Sequence, residues 1–393
     1  ESLLELHPDI NLTARTFALK TAGGNERKTT GSYYTPTSLI NALLDSALDP
    51  VLDEAIGAGG TRDEIQQRIL DLKVVDPACG SGHFLIAAAN RMAKRLASVR
   101  TGEDEPTPEY VTAAKRDVIA NCIYGVDLNE MAVELCKVNL WLESIDPGKP
   151  LTFLDSRIQQ GNSLLGTTPA LMARGIPEDA FPTSSGLIEG DDNKVVSKLR
   201  SRNRNELNDR QTGQRSMFEL IEPPTDYSKL TRQFRQLAHA PDDTLSAVRT
   251  KERLYRALSN DPEYIKGKFL ADLWCAVFVW HKAENATYQP MGASANGAGQ
   301  TVPAPPTDLL YRNIEENPLD GKWTDIRAYT TYLADRYDFF HWHIAFPEVF
   351  SVRENPAERE IPEDEIPTIP EITGWSGGFD AVLGNPPWEK IAT

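Results

Sequence analysis

Cysteine is scarce in this sequence, and none of it is paired by spacing. Cys79, Cys122, Cys136 and Cys275 are scattered over 393 residues without a CxxC, which argues against a disulfide framework or a cysteine-built zinc site and predicts reduced thiols. Long apolar runs are also missing. No stretch approaches the roughly 20 residues of a membrane helix, and the opening ESLLELHPDI lacks the basic and apolar regions of a signal peptide. A cytoplasmic protein that avoids membranes is expected. Positive charge is in short supply, with 41 Lys and Arg against 57 Asp and Glu and a net charge of −16. That balance disfavours a phosphate backbone as partner unless a basic face is concentrated locally. The length suits two or three domains, or one with long insertions. With Glu at position 1 and a motif in the last residues, the sequence reads as a fragment of a longer protein.

What is present is a repeating strand and helix pattern. KVVDPACGSGHFLIAAAN, residues 73–90, reads as a β-branched strand, a glycine turn and an alanine-rich helix. CIYGVDLNE supplies a second strand, MAVELCKVNLWLES an amphipathic helix, and SRIQQGNSLL a third short strand. Strands alternating with helices predict a parallel, doubly wound α/β sheet. About two hundred residues then break the pattern before the strand FDAVLG, far beyond an ordinary connection, so an inserted subdomain is expected. Residues 194–256 within it carry 14 Lys and Arg against 8 Asp and Glu. EYIKGKFLADLWCAVFVWHK reads as a buried apolar helix, while NATYQPMGASANGAGQTVPAPP and ENPAEREIPEDEIPTIPEIT read as loops.

The glycine turn narrows the ligand. Gly80 and Gly82 let backbone amides approach a bound group, and the helix that follows offers its positive end. A pyrophosphate site would continue as GxGxxG, but Leu85 stands at the third position and Asp76 precedes the turn. A carboxylate there suits a ligand carrying positive charge, such as the amino acid part of S-adenosylmethionine. Asp127, at the end of the second strand, can accept ribose hydroxyls; the plain alternative is a cap for the helix opening at Leu128 or Asn129. Asn162 would end the third strand within reach of an adenine, or simply make a turn.

In FDAVLGNPPW, Asn385 and Pro386 each precede a proline, which stiffens the loop and removes two amides. The Asn385 oxygen and the Pro386 carbonyl can then accept both hydrogens of one planar amino group. Fixed acceptors favour a pyramidal nitrogen and stabilise the positive charge that develops as it attacks a sulfonium methyl. Pro387 completes the stiff pair, and Trp388 offers a flat face for a base flipped out of a duplex. A proline-rich ligand for a binding module is the plain alternative, but such a ligand would not close an apolar strand.

With these residues together, the chain resembles the DNA N6-adenine methyltransferases of restriction–modification and of BREX- or DISARM-like phage defence. The resemblance rests on TTGSYYTP, DPACGSGHFL, GVDLNEMAVELCKVNLWL, GNSLL, HWHIAFPEVF and FDAVLGNPPW. It implies a Rossmann-like methyltransferase sheet, incomplete at its C-terminal end, with a large, mainly helical insertion. It also implies that Tyr34, Thr35 and Pro36 lie against the methionine part of S-adenosylmethionine. The cofactor set is then Tyr34, Thr35, Pro36, Asp76, Ala78, Gly80, Gly82, Asp127, Leu128 and Asn162, and the catalytic set Asn385, Pro386, Pro387 and Trp388. Trp388 stands where relatives more often carry Tyr or Phe, and Asn162 where many carry Asp.

The implied organisation is a helical arm over 1–50, the cofactor half over 51–166, the insertion over 167–350, and the return strand with its catalytic loop over 351–393. Double-stranded DNA is the expected partner, through a recognition domain missing from this chain, with nuclease or defence-system subunits beside it. An RNA or protein-glutamine methyltransferase, or a silent cofactor-binding scaffold, would share the same motifs. A target-reading role for the basic insertion is a further alternative. No metal is expected: His341 and His343 alternate as on a strand but lack a third ligand. Pro8, Asp9, Glu26 and Lys28 loosely resemble a nuclease pattern with no strand to frame it.

Overall fold

The computed structural model describes residues 6–11, 16–21, 35–183, 186–212, 225–290, 299–352 and 368–385. The chain divides into two compact units. One draws on residues 1–163, 236–255 and 378–393, the other on 164–235 and 256–377.

The first unit begins with an antiparallel pair, β1 (Leu6–Asn11) and β2 (Thr16–Thr21), with Pro8 opposite Leu19 and Asp9 opposite Ala18. This differs from the helical arm expected over 1–50: TFALKT alternates in twos, which suits a hairpin better than a helix. A strand therefore does frame Pro8 and Asp9, while Glu26 and Lys28 lie outside the described residues. Helices α1 (Thr37–Ala47), α2 (Asp49–Gly57) and α3 (Arg62–Asp71) follow. A reciprocal cap starts α3: Thr61 Oγ1 accepts from the Glu64 amide, and Glu64 Oε2 accepts from the Thr61 amide. Such a cap satisfies two of the amides that a helix start leaves without partners.

Strand β3 (Val74–Asp76) leads into α4 (His83–Thr101), which ends where Gly102 takes a left-handed φ of 75°. Then come α5 (Pro108–Asn121), β4 (Ile123–Asp127), α6 (Glu130–Glu143) and β5 (Ile158–Gln160). Leu85, Ala88, Ala89, Met92, Ala93 and Leu96 turn one side of α4 into the core with Ile69, Val74, Ile123 and Leu140. Truncating a fully buried leucine such as Leu85 to alanine would cost about 2–5 kcal/mol.

The second unit holds α7 (Asn193–Thr212), and the helices α8 (Tyr227–Ala238) and α9 (Leu245–Ser259) pass between units. Helix α10 (Pro262–Val279) is capped by Asp261 and has every residue from Phe269 to Val277 buried. It lies in an aromatic core with Phe181, Trp280 and Tyr311, all fully buried. The loop expected after it is partly ordered into the pair β6 (Thr287–Tyr288) and β7 (Gln300–Thr301). Helices α11 (Asp308–Glu316) and α12 (Thr324–Tyr337) follow, and β8 (Phe350–Val352) pairs antiparallel with β9 (Trp375–Gly377). The second unit therefore runs on to residue 377, and residues 236–255 leave it for the first, unlike a single insertion over 167–350.

The last strand, β10 (Ala381–Val382), pairs in parallel with β3. The sheet order is β10-β3-β4-β5, with every neighbour parallel. The expected mixed α/β class and parallel sheet are present. Asp380 accepts from the Lys73 amide at 2.7 Å, joining residues far apart in the chain at the starts of β10 and β3. Among the described residues no helix is long and apolar enough to cross a membrane.

Candidate active site

The ends of four parallel strands and the start of α4 meet where the first unit would hold a ligand. After β3 the chain turns through Pro77–Gly82. Gly80 and Gly82 take left-handed φ values of 53° and 89°, a conformation that costs side-chain-bearing residues about 1–2 kcal/mol. The two glycines serve different ends. A Cβ on Gly82 would lie 2.8 Å from Cys136 Sγ, so Gly82 lets α6 pack against the turn. A Cβ on Gly80 would meet no atom within 4 Å, which leaves room on the ligand side. Helix α4 starts at Gly82 with no side-chain cap and no acid in its first turn. Its first amides keep the partial positive charge that a capping acid would otherwise answer.

Two carboxylates frame the turn. Asp76 is 1% exposed and accepts from the Ala78 amide at 3.0 Å. Burial, reinforced by repulsion from Asp127, pushes its pKa up to about 7. Asp127 is also buried, and burial raises its pKa against two hydrogen bonds that favour the charged form. Its Oδ2 accepts from the Gly80 amide at 2.8 Å and its Oδ1 from the Asn129 amide at 2.9 Å. Among the described residues neither carboxylate has an ion-pair partner.

The capping alternative for Asp127 is thus partly realised, but Asn129 is the residue that caps α6. Its oxygen accepts from the Met131 and Ala132 amides. Leu128 is 38% exposed beside it. Gly161, at the end of β5, donates its amide to the Asp127 carbonyl, which brings Asn162 to the ends of the neighbouring strands.

Sequence spacing gives no sign of how the last motif arrives. Leu383 donates to the Val75 carbonyl at 2.8 Å, which lays Gly384 against Asp76. A Cβ on Gly384 would fall 2.9 Å from Asp76 Oδ1. Next to it, Asn385 Nδ2 donates to Thr35 Oγ1 at 3.4 Å. Thr35 is buried, and Pro36 occupies the position before α1. Thr35, Asp76, Gly384 and Asn385 therefore share one neighbourhood. Tyr34, Pro386, Pro387 and Trp388 lie outside the described residues.

Two residues that shape the site are absent from the sequence-based set. Asn139 Nδ2 donates to the Ser81 carbonyl at 2.8 Å, and Cys136 makes the close approach to Gly82. An asparagine inside the apolar run CKVNLWL was the available signal. The histidines differ from a strand-borne pair: His341 precedes a helical turn over Trp342–Ala345 that includes His343. His341 Nδ1 accepts from the Thr167 amide at 3.1 Å and its Nε2 meets Asp272 Oδ1 at 3.0 Å, so it serves packing in the second unit.

Comparison with known proteins places the chain among DNA methylases. Residues 15–169 match the N-6 DNA Methylase family, and residues 121–393 match the Eco57I restriction-modification methylase family. The chain is 28% identical over 203 residues to a candidate type II restriction enzyme and methyltransferase of Methanocaldococcus jannaschii, covering 42% of this chain and 17% of that protein. It is 32% identical over 148 residues to the type II restriction enzyme and methyltransferase RM.Eco57I of Escherichia coli, covering 33% and 14%. It is 29% identical over 114 residues to the adenine-specific methyltransferase PglX of Streptomyces coelicolor, covering 29% and 8%. The chain spans less than a fifth of the length of these curated relatives. Since the second family match takes in well over half of its residues, the chain belongs to the Eco57I restriction-modification methylase family.

Proposed function

We propose that this chain carries the cofactor-binding and catalytic-loop portion of a DNA methyltransferase that transfers a methyl group from S-adenosylmethionine to the N6 amino group of a flipped adenine. Its setting is restriction–modification, as the type II relatives suggest, or the phage defence that the motif resemblance implies. The observation that carries the reading is the convergence of Thr35, Asp76, Gly384 and Asn385 around a glycine turn whose carboxylates have no ion-pair partner among the described residues.

The residues fit the proposed cofactor. A buried carboxylate without an ion-pair partner is costly unless a ligand supplies positive charge, and S-adenosylmethionine carries an ammonium and a sulfonium. Asp76, Ala78 and the turn at Gly80 and Gly82 would hold its amino acid part, together with Tyr34, Thr35 and Pro36. Asp127 would take the ribose, because each carboxylate oxygen has a second lone pair after accepting one amide. Leu128 and Asn162 would flank the adenine. The bound cofactor supplies an electrophilic methyl group.

The chain's own contribution is acceptor placement. Asn385, whose amide nitrogen donates to Thr35, would accept one hydrogen of the target amine on its side-chain oxygen. The Pro386 carbonyl takes the second hydrogen, and Trp388 stacks on the base. No strong base is needed, because the nitrogen sheds its proton after it has become cationic. Duplex DNA is the substrate of this reading, with its recognition domain and any nuclease subunit outside the present chain.

Calorimetry on the full-length protein tests the cofactor part. S-adenosylmethionine should bind, and Asp127→Ala should weaken binding by about 1.5–3 kcal/mol, as for hydrogen bonds to a charged group. Unchanged affinity in the variant would remove Asp127 from the site, and binding of NAD in place of S-adenosylmethionine would overturn the reading.

A further inference from the structure

Residues 236–255 belong to the first unit although the chain on both sides belongs to the second. The segment is fixed by buried charge. Arg116 of α5, 3% exposed, reaches across with Nη2 to the Asp242 carbonyl at 2.8 Å, while its Nη1 holds the Pro150 carbonyl. Lys251, on the inner side of α9 and 2% exposed, donates to the Ala240 carbonyl at 3.2 Å. Tyr255 meets Phe153 edge-on at 5.5 Å. Three side chains thus hold α9 in a defined place, through hydrogen bonds that would be costly to break in a buried setting.

The outer side of the same helix has a different chemistry. Arg249, Thr250 and Arg253 are exposed. Arg249 and Arg253 are four residues apart and so share a face. Arg253 Nη2 donates to Thr250 Oγ1 at 3.0 Å and its Nε to the Arg249 carbonyl at 3.3 Å, which ties it to its own helix. Among the described residues no carboxylate pairs with either guanidinium, whereas Arg202, Arg204 and Arg210 of α7 all have acidic partners. Glu252 is the one acid of α9 and is half-buried. In a chain of net charge −16, two guanidiniums without a carboxylate partner among the described residues, on a firmly docked helix, form a place where an anion can approach.

We infer that the outer face of α9 contacts the phosphate backbone of duplex DNA, with Arg249 and Arg253 as the cations that meet phosphates. The inference rests on the DNA methyltransferase reading and adds a contact that none of its motifs contains. Guanidinium forks match phosphate geometry, and backbone contacts position a protein on a duplex without reading its sequence. Docking α9 on the unit that carries Asn385 makes such a contact part of the catalytic unit itself.

The test uses full-length protein and a fluorescent duplex of about 30 base pairs, titrated by anisotropy over a series of salt concentrations. Each phosphate contact contributes about 0.9 to the slope of log Kd against log salt. R249Q/R253Q should make that slope shallower by about 1.8 and weaken Kd roughly tenfold at low salt. S-adenosylmethionine affinity and the melting temperature should stay at wild-type values. R249K/R253K should recover most of the slope, and Arg95→Gln, which removes a cation paired with Asp53, should leave it unaltered. If wild type binds DNA while R249Q/R253Q keeps the wild-type slope, this inference is overturned and the methyltransferase reading stands. If wild type binds no duplex at any salt concentration, both fall.

Discussion

Each unit buries a carboxylate near the start of a helix, and the two are treated in opposite ways. In the second unit Asp308 is fully buried and answered by cations: its Oδ1 accepts from Arg210 at 2.9 Å and from the Ile176 amide at 3.2 Å, and the Arg312 guanidinium lies 3.1 Å from Oδ2 as an ion-pair partner without a hydrogen bond. In the first unit Asp76 is almost as buried, has one amide for a partner among the described residues, faces the charge of Asp127, and has its pKa pushed up to about 7. A carboxylate answered from within its own unit is architecture: it fastens α7 and α11 to the loop at Ile176. A carboxylate left short of donors costs stability in the empty protein, and that cost is recovered only when something cationic arrives. The contrast supports the proposed ligand site without reference to any motif.

The sharpest way to break the comparison is through Asn385. If the first unit is the reactive one, Asn385→Ala should lower methyl-transfer turnover by about 10²–10³, as for loss of one preorganised group at a charge-developing centre. Affinity for S-adenosylmethionine should stay within about twofold, because the lost acceptor acts mainly on the transition state. More than a tenth of wild-type turnover in a single-turnover assay would take Asn385 out of the chemistry.

Asp308→Ala should act on stability alone. It strands Arg210 and Arg312 in partly buried positions, a loss of about 3 kcal/mol, read by urea unfolding of the second unit. A wild-type unfolding midpoint would mean that Asp308 is no better answered than Asp76.

Asp76 should show the reverse, and pH exposes it. Its folded pKa, about 7, lies above the unfolded value of 3.8, so between these the folded protein holds more protons than the unfolded chain. Stability therefore falls as pH rises from about 4 to about 7 and is level beyond. Asp76→Asn removes that loss and should make the ligand-free protein more stable than wild type at pH 8, by on the order of 2 kcal/mol after local relaxation, with little difference at pH 4. For the same reason S-adenosylmethionine should bind wild type more weakly below pH 7, since the charged form must first be made. Equal stabilities of variant and wild type at both pH values would show that Asp76 already has the partners it needs.

How much of this was readable in the sequence depends on the distance over which each feature is determined. The parallel strands and the glycine turn were legible, because VVD and YGVD followed by helix patterns are local signals. The meeting of Thr35, Asp76 and Asn385 was not, since it depends on β10 pairing with β3 across some three hundred residues. Nor was the return of 236–255 to the first unit, which rests on contacts between distant parts of the chain, Arg116 with the Asp242 carbonyl and Tyr255 with Phe153. His341 and His343 misled in another way. Their spacing of two fits a strand, yet the Ile344 and Ala345 amides both bond back to the His341 carbonyl and close a helical turn.

The smallest effect tests whether the glycine turn is shaped from outside itself. Its backbone is held by Asp127 on the Gly80 amide, by the Val126 carbonyl on the Cys79 amide at 2.9 Å, and by Asn139 on the Ser81 carbonyl. The first two come from the end of β4, whereas Asn139 comes from α6. Asn139→Asp keeps the shape and removes the donor, and its charge would face a carbonyl oxygen, so the turn should relax and S-adenosylmethionine affinity should fall by about 1 kcal/mol. Asn139→Ser, too short to reach but uncharged, should fall less. If the turn holds only the proposed cofactor, the KM for S-adenosylmethionine should rise while the KM for DNA and the turnover at saturation remain. A general loosening of the fold would instead lower the melting temperature and spread across all three constants. An Asn139→Asp enzyme with wild-type KM for S-adenosylmethionine would show that the end of β4 sets the turn by itself.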